Sequence, residues 1–170
     1  MFGIKAAKVQ RCLGNCSLAL HLYQLKDLPL LYSFFYPEPF FSRGKRIREA
    51  CRSFLSFRRW LMTTFQIVYI IKVRKTNGPR IVGFVGLYNV KLGRSLGLSL
   101  AIFHPEDRRQ GYGRNALELL LNSLQANNVV KKVVVEVSKN NAPSLLLFKG
   151  ASFRICGQSK DRILLEKCLK

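Results

Sequence analysis

Acidic residues are scarce in this chain of 170 amino acids: 9 Asp and Glu stand against 29 Lys and Arg, for a formal net charge of +20. Such a surface attracts polyanions whatever its purpose and repels polyamines and other polycations. RNA, ribosomes, anionic lipid, acidic substrates and a phosphorylated cofactor all remain eligible partners, and composition does not choose among them. Histidine is sparse too, with 2 in the chain, and the 5 cysteines, at positions 12, 16, 51, 156 and 168, form neither a C-x-x-C pair nor an even disulfide framework. This argues against a zinc site or any other metal and for reduced thiols in a cytoplasmic protein; the Cys12/Cys16 spacing reads as incidental. Long apolar runs are missing as well. The longest hydrophobic segment, residues 61–73, is interrupted by Thr63, Thr64, Gln66 and Lys72 and is too short to span a bilayer. Lys5, Lys8 and Arg11 are not followed by the apolar core of a secretory signal. No repeat, low-complexity tract or linker divides the chain.

What is present suffices for one domain over residues 1–170, since 48% of the residues are hydrophobic. Residues 1–17 have no clean period and read as partly loose. Residues 18–22 form an opening strand. A helix follows, with Asp27 as its N-cap and Pro29 in its first turn. Tyr32, Phe34, Phe35, Tyr36, Phe40 and Phe41 crowd around Pro37 and Pro39, either as the lid of the core or as an aromatic-walled acceptor pocket. Residues 46–61 carry Ile47, Cys51, Phe54, Leu55 and Leu61 at helical intervals, with Arg46, Arg48, Arg52, Arg58 and Arg59 elsewhere. That basic amphipathic helix is a solvated face or an anion-recruiting one.

Strands are expected at 65–73 and 80–90, joined by a turn at 76–79, and again at 98–103. A helix then runs to about Ala126. The Val-rich segment 129–137 reads as a strand buried on both faces. A short helix opens at Pro143 and reaches Phe148, and strands at 153–156 and 163–168 close the chain.

The most informative stretch is residues 103–117. An apolar strand ends at Pro105, and after Gly113 the residues Leu117, Leu120, Leu121 and Leu124 recur at helical spacing. Strand, glycine loop and helix follow one another. Gly111 and Gly113 remove the Cβ atoms that would block a ligand, so backbone N–H groups can converge on an anion at the positive end of the helix. A pyrophosphate suits that hollow. The spacing Arg108-x-x-Gly111-x-Gly113 fits neither the P-loop nor the dinucleotide fingerprint. It resembles the R-x-x-G-x-G acyl-CoA signature of the GNAT superfamily of N-acyltransferases. A second segment, 133–153, is similar to the family's buried strand, Asn, short helix with a Tyr, and Gly-Phe pair; Asn141, Phe148 and Phe153 fall on those positions, with Phe148 replacing the Tyr and Ser152 the Gly. The resemblance covers about residues 80–167.

The resemblance implies an α+β fold with a mixed, mostly antiparallel central sheet of about six to seven strands flanked by about four helices. It implies acetyl-CoA as acyl donor, with pantetheine laid along Leu100, Ala101, Ile102 and Phe103 as an extra strand. Pyrophosphate would meet the backbone of Arg109, Gln110, Gly111, Tyr112, Gly113 and Arg114, with Arg108, Arg109 and Arg114 adding charge. Asn141 would help hold the cofactor near its thioester. Glu136, twelve residues before Phe148, matches the Glu-to-Tyr spacing of ribosomal-protein alanine acetyltransferases, in which the two act as base and acid. A Glu in an apolar strand can equally be a salt-bridged structural residue.

Phe148 cannot donate a proton to a thiolate. Tyr112, Tyr88, Ser144 with water, or solvent would have to serve, unless the chain binds acyl-CoA with little turnover. His104, between a strand and Pro105, is a turn residue or a group titrating near neutrality. The preferred function is N-acetyl transfer to a primary amine: a protein N-terminus, a ribosomal protein, or a small amine such as an amino sugar. The charge favours an acceptor that is anionic or RNA-associated. A monomer or a homodimer is compatible with all of this. An RNA-binding module is the third reading, without a recognisable RRM, KH or helix-turn-helix pattern to carry it.

Overall fold

The computed structural model describes residues 10–11, 17–35, 53–75 and 78–169. Its strands are β1 (Gln10–Arg11), β2 (Ser17–Leu22), β3 (Ile67–Lys75), β4 (Gly78–Lys91), β5 (Ser95–Ile102), β6 (Lys132–Ser138), β7 (Arg154–Gln158) and β8 (Arg162–Cys168). The α-helices are α1 (Leu28–Phe35), α2 (Phe54–Thr64), α3 (Tyr112–Ala126) and α4 (Ala142–Gly150). All eight strands lie in one sheet, in the order β1-β2-β3-β4-β5-β6-β8-β7. Every neighbouring pair is antiparallel except β5 and β6. This is the expected mixed α+β sheet with its four helices, lengthened by the two-residue edge strand β1.

Two cores lie on opposite faces. On one, the leucines of α3 (Leu117, Leu120, Leu121, Leu124) with Tyr112 and Ala116 cover Tyr69, Val85, Leu87, Leu96, Leu98, Val133, Val135, Val137 and Leu165. On the other, α1 and α2 bring Leu28, Leu31, Phe35, Phe57 and Leu61 onto Val68, Ile70, Phe84 and Phe103. Each such side chain taken out of water contributes about 1.5–3 kcal/mol, which outweighs the weak intrinsic stability of helices this short. β4 serves both faces, and residues 82–87 are all buried. Phe34 and Phe35 join this second core, with Phe34 stacked 3.9 Å from Phe103. Tyr36, Phe40 and Phe41 lie outside the described residues, so the described part of the aromatic cluster is core.

Several local expectations are corrected. Asp27 is not a forward N-cap: it is buried and its Oδ2 accepts from the Gln24 N–H at 2.9 Å, locking the 3-10 turn Leu25–Asp27 that precedes α1. The described part of the expected 46–61 helix starts after Ser53, whose hydroxyl accepts from the Ser56 N–H while Ser56 accepts from the Ser53 N–H. That serine pair closes the helix start, and the helix continues past Leu61 to Thr64 because no breaker intervenes. Residues 46–52, and positions 76–77 of the expected turn, lie outside the described residues. β6 is not buried on both faces. It starts at Lys132 and alternates, with Val133, Val135 and Val137 in the core and Glu136 exposed. The reason is topological: α3 and α4 cover only one face there. No described helix is long and apolar enough to cross a membrane.

Candidate active site

The site begins where two strands part. β5 and β6 pair through Ser95–Lys132, Leu96–Val133 and Gly97–Val134 and no further, although β5 runs to Ile102 and β6 to Ser138. Each instead keeps its other neighbour: β5 stays with β4 up to Ile102, and β6 with β8 up to Ser138. The closed end is pinned by Lys131 and Lys132 N–H donating to the Arg94 carbonyl at 3.1 and 3.0 Å and by Gly93 N–H donating to Val129 at 2.9 Å. The result is a wedge, open toward the ends of both strands.

Main-chain groups alternate along β5. Phe103 N–H donates to Val82 at 2.9 Å, and a Cβ built on Gly83 would collide with the Ala101 carbonyl, so residues 101 and 103 face β4. By alternation, Leu100 and Ile102 direct their main-chain groups into the wedge. Of the four strand residues singled out in the sequence, Leu100 and Ile102 line the gap with their backbone. Phe103 is buried in the second core, and Ala101 packs on it.

Beyond the strand, the chain turns through a 3-10 segment (Pro105–Asp107) and reaches α3 by two left-handed residues, Arg109 (φ 61) and Gly111 (φ 79). His104 is the turn residue before Pro105, its ring edge-on to Phe34 at 4.7 Å. Gly111 is the N-cap of α3, so no side chain caps the helix, and no acid lies in its first turn. The first N–H groups of α3 thus present the positive end of a 15-residue helix without a competing carboxylate. Gly113 seats this end: a Cβ there would stand 3.5–3.7 Å from Leu100, Ile102 and Leu147.

The arginines of the loop have separate tasks. Arg108 turns back on β5, donating to the carbonyls of Phe103 at 3.2 Å and Ile102 at 3.5 Å. Arg114 pairs with Glu118 at 3.0 Å on the surface of α3. Arg109 and Gln110 are exposed. Sequence reasoning missed Arg80, which reaches from β4 to the buried carboxylate of Asp107 and, at 3.2 Å, to Glu106, and so clasps the glycine loop to the sheet. No local signal marks a partner 27 positions away.

On β6, side chains at 136 and 138 share a face with 162 and 164 of β8, because Glu136 pairs with Leu164 and Ser138 with Arg162. The Glu136 carboxylate, 33% exposed, lies 3.5 Å from Arg162 Nη1. It is therefore paired and partly solvated, not an isolated carboxylate in an apolar strand. Val134 breaks the alternation of residue types along this strand, so the sequence pattern did not show it. Across the wedge, Tyr88 pairs with Gly97, and a Cβ on Gly97 would come within 2.6 Å of its ring, so the ring lies over the apex on this same face. Asn141 caps α4, its Oδ1 accepting from the Ser144 N–H at 3.2 Å.

Comparison with known proteins decides what such a wedge belongs to: the model of the acetyltransferase (GNAT) domain family matches residues 17–154. The chain belongs to the GNAT acetyltransferase family. As a GNAT domain it is an acetyl-CoA-dependent N-acetyltransferase. Solved structures share the fold at low identity. A domain from Methanocaldococcus jannaschii superposes with a TM-score of 0.78 at 20% identity, covering 91% of this chain and 100% of that one. A GNAT acetyltransferase from Bacillus anthracis gives 0.73 at 14%, covering 96% and 98%. The spermidine N-acetyltransferase from Vibrio cholerae, solved with CoA and spermine, gives 0.68 at 16%, covering 89% and 95%. No curated protein matches the chain by sequence. The GNAT cofactor fits the geometry: a strand edge open to one side, and an uncapped helix end at its tip. Among the described residues no group of His, Cys, Asp and Glu could hold a metal ion.

At the position of the GNAT tyrosine, Phe148 is buried in the main core and packs edge-on against Phe153 at 5.3 Å. Tyr112 is buried in that same core, on the face away from Glu136. Between the two tyrosines considered as donors from sequence, Tyr88 is the one that the fold brings to Glu136's face.

Proposed function

We propose that this GNAT domain acetylates a primary amine by direct attack, with Glu136 receiving the amine's proton directly or through one water. The observation that carries the reading is the parting of β5 and β6 after Gly97, which leaves Glu136 on an open wall of the wedge beside Arg162. Acetyl-CoA supplies the thioester when bound. Leu100 and Ile102 would pair with pantetheine through their main chain, and the N–H groups of Tyr112, Gly113 and Arg114 would meet pyrophosphate, with Arg109 adding charge. Asn141 spends Oδ1 on its cap and would offer its amide N–H donors. As the C–N bond forms and the C–S bond breaks, Glu136 takes up the proton lost by nitrogen. The phenol of Tyr88, or solvent, returns one to sulfur.

A formal charge of +20 disfavours a polycationic acceptor. A protein N-terminus, a ribosomal protein or a small amine such as an amino sugar fits better. The burial of Phe148 favours one second reading, a GNAT protein that binds acyl-CoA and turns over weakly. Titration of acetyl-CoA into the protein at two salt concentrations, followed by thiol release with a panel of amines, separates these. Micromolar affinity that persists at high salt, with thiol released by at least one amine, is expected. Binding without turnover supports the second reading, and binding abolished by salt removes the specific cofactor site.

A further inference from the structure

We propose that the hollow at the open end of β6, lined by Ser138, Lys139, Asn140, Lys160, Asp161 and Arg162, is a subsite for a carboxylate or phosphate group carried by the amine acceptor. This rests on the reading of Glu136 as the acceptor-side base. The hollow has a volume of about 380 Å³, enough for a small anionic group. Its lining contains three cations and one acid. Arg162 is paired with Glu136, whereas Lys139 and Lys160 carry no ion pair among the described residues, so two lysines stand against the one lining acid, Asp161. Two loops form it, one leading from β6 into α4 and one joining β7 to β8. They are tied together by Lys139 N–H donating to the Asp161 carbonyl at 3.0 Å, and the second is closed by Ser159 N–H donating to Arg162 at 2.8 Å. The hollow is therefore shaped by main-chain bonds.

Its position relative to Glu136 decides what it can recognise. Ser138 and Arg162 share Glu136's face of the sheet, and Arg162 touches both the hollow and the Glu136 carboxylate. Two residues along a strand cover about 7 Å. An acceptor with its amine at Glu136 and its anionic group in the hollow thus separates the two by about that distance. A peptide N-terminus followed by an acidic second residue has this spacing, since one residue of extended chain spans about 3.5 Å and a side chain adds a similar reach.

The test uses the full-length protein and peptides identical except for a second residue of Glu, phosphoserine or Gln, each also made in N-acetylated form. Thiol release gives kcat/KM for the free peptides. Calorimetry with CoA present gives Kd for the acetylated ones, independently of turnover. Expected is a preference of about tenfold or more for an anionic second residue in both measurements, lost in Lys139→Gln/Lys160→Gln. It should survive in Lys91→Gln/Lys131→Gln, which removes equal charge at the closed end of the wedge. The Glu and phosphoserine arms separate carboxylate from phosphate. A wild-type protein indifferent to the second residue, or a preference that both double variants reduce equally, overturns the subsite. Selective binding of acetylated acidic peptides without turnover would instead overturn Glu136's role and leave the subsite standing.

Discussion

Gly111 shows how one residue can serve a fold and a ligand by lacking a side chain. Its φ of 79° is readily reached by Gly, and its position as an uncapped helix start leaves N–H groups for a phosphate. Asp is a good N-cap and tolerates the left-handed region better than most residues. Gly111→Asp should therefore keep the protein folded, with a thermal midpoint within a few degrees, while its carboxylate occupies and repels at the anion site. Acetyl-CoA affinity is expected to fall by about 100-fold or more; calorimetry showing unchanged affinity would remove the phosphate assignment. Glu136→Gln separates chemistry from binding. Turnover should drop about 10²–10³-fold with acetyl-CoA affinity held within about twofold, and wild-type turnover would take Glu136 out of the mechanism. Tyr69 illustrates the opposite case, a polar group with no ligand in prospect. Its hydroxyl is buried without a hydrogen-bond partner, and burial pushes its pKa up to about 12. Below pH 10 both the folded and the unfolded phenol are protonated. Between pH 10 and 12 the unfolded chain ionises first, so stability falls as pH rises. Tyr69→Phe should gain about 1 kcal/mol at neutral pH and lose less stability between pH 8 and 11, as read from urea midpoints.

At the scale of elements, the glycine loop is held by β4 as much as by its own turns. Arg80 clasps Asp107, which is 2% exposed, so removing the guanidinium strands a carboxylate in the protein. Because Arg80 itself is half-exposed, the loss is smaller than for a wholly buried pair, about 2 kcal/mol. Arg80→Ala should also weaken acetyl-CoA binding, since the loop that presents α3's N-terminus loosens. A stability loss with unaltered affinity would show that the loop holds its shape without the clasp. Legibility differed between elements for a physical reason. α3 was readable because its leucines repeat at 3.6 residues and a single face is buried. The β7–β8 hairpin was readable from its spacing. The splay of β5 from β6 was not, because it depends on pairing between residues 95–97 and 132–134 and on each strand preferring its other neighbour. The helix start at Ser53 was not legible because residues 46–61 have helical spacing throughout, while the serine pair at 53 and 56 closes a helix start inside that range.

For the whole molecule, charge is the dominant unpaired quantity. The ion pairs described involve Glu106, Asp107, Glu118, Glu136 and Glu166, which leaves most cations without an acid. Self-repulsion among such charges is long-ranged at low salt and screened within about 10 Å at 0.1 M. The thermal midpoint should accordingly rise between 0.05 and 0.5 M salt, and a midpoint that stays level or falls would mean that the cations are already locally compensated. The sequence by itself determined the alternation of elements, the glycine loop, the net charge and the family resemblance, because each depends on neighbours in the chain or on simple counting. Only the tertiary structure decided that Glu136 lies on an open wall beside Arg162, that Phe148 is sealed in the core, that Arg108 turns back on β5 and that Tyr88 lies over the apex of the wedge. Those outcomes depend on strand register and on which face a helix covers. Both are set by contacts between residues far apart in sequence, where local periodicity carries no information.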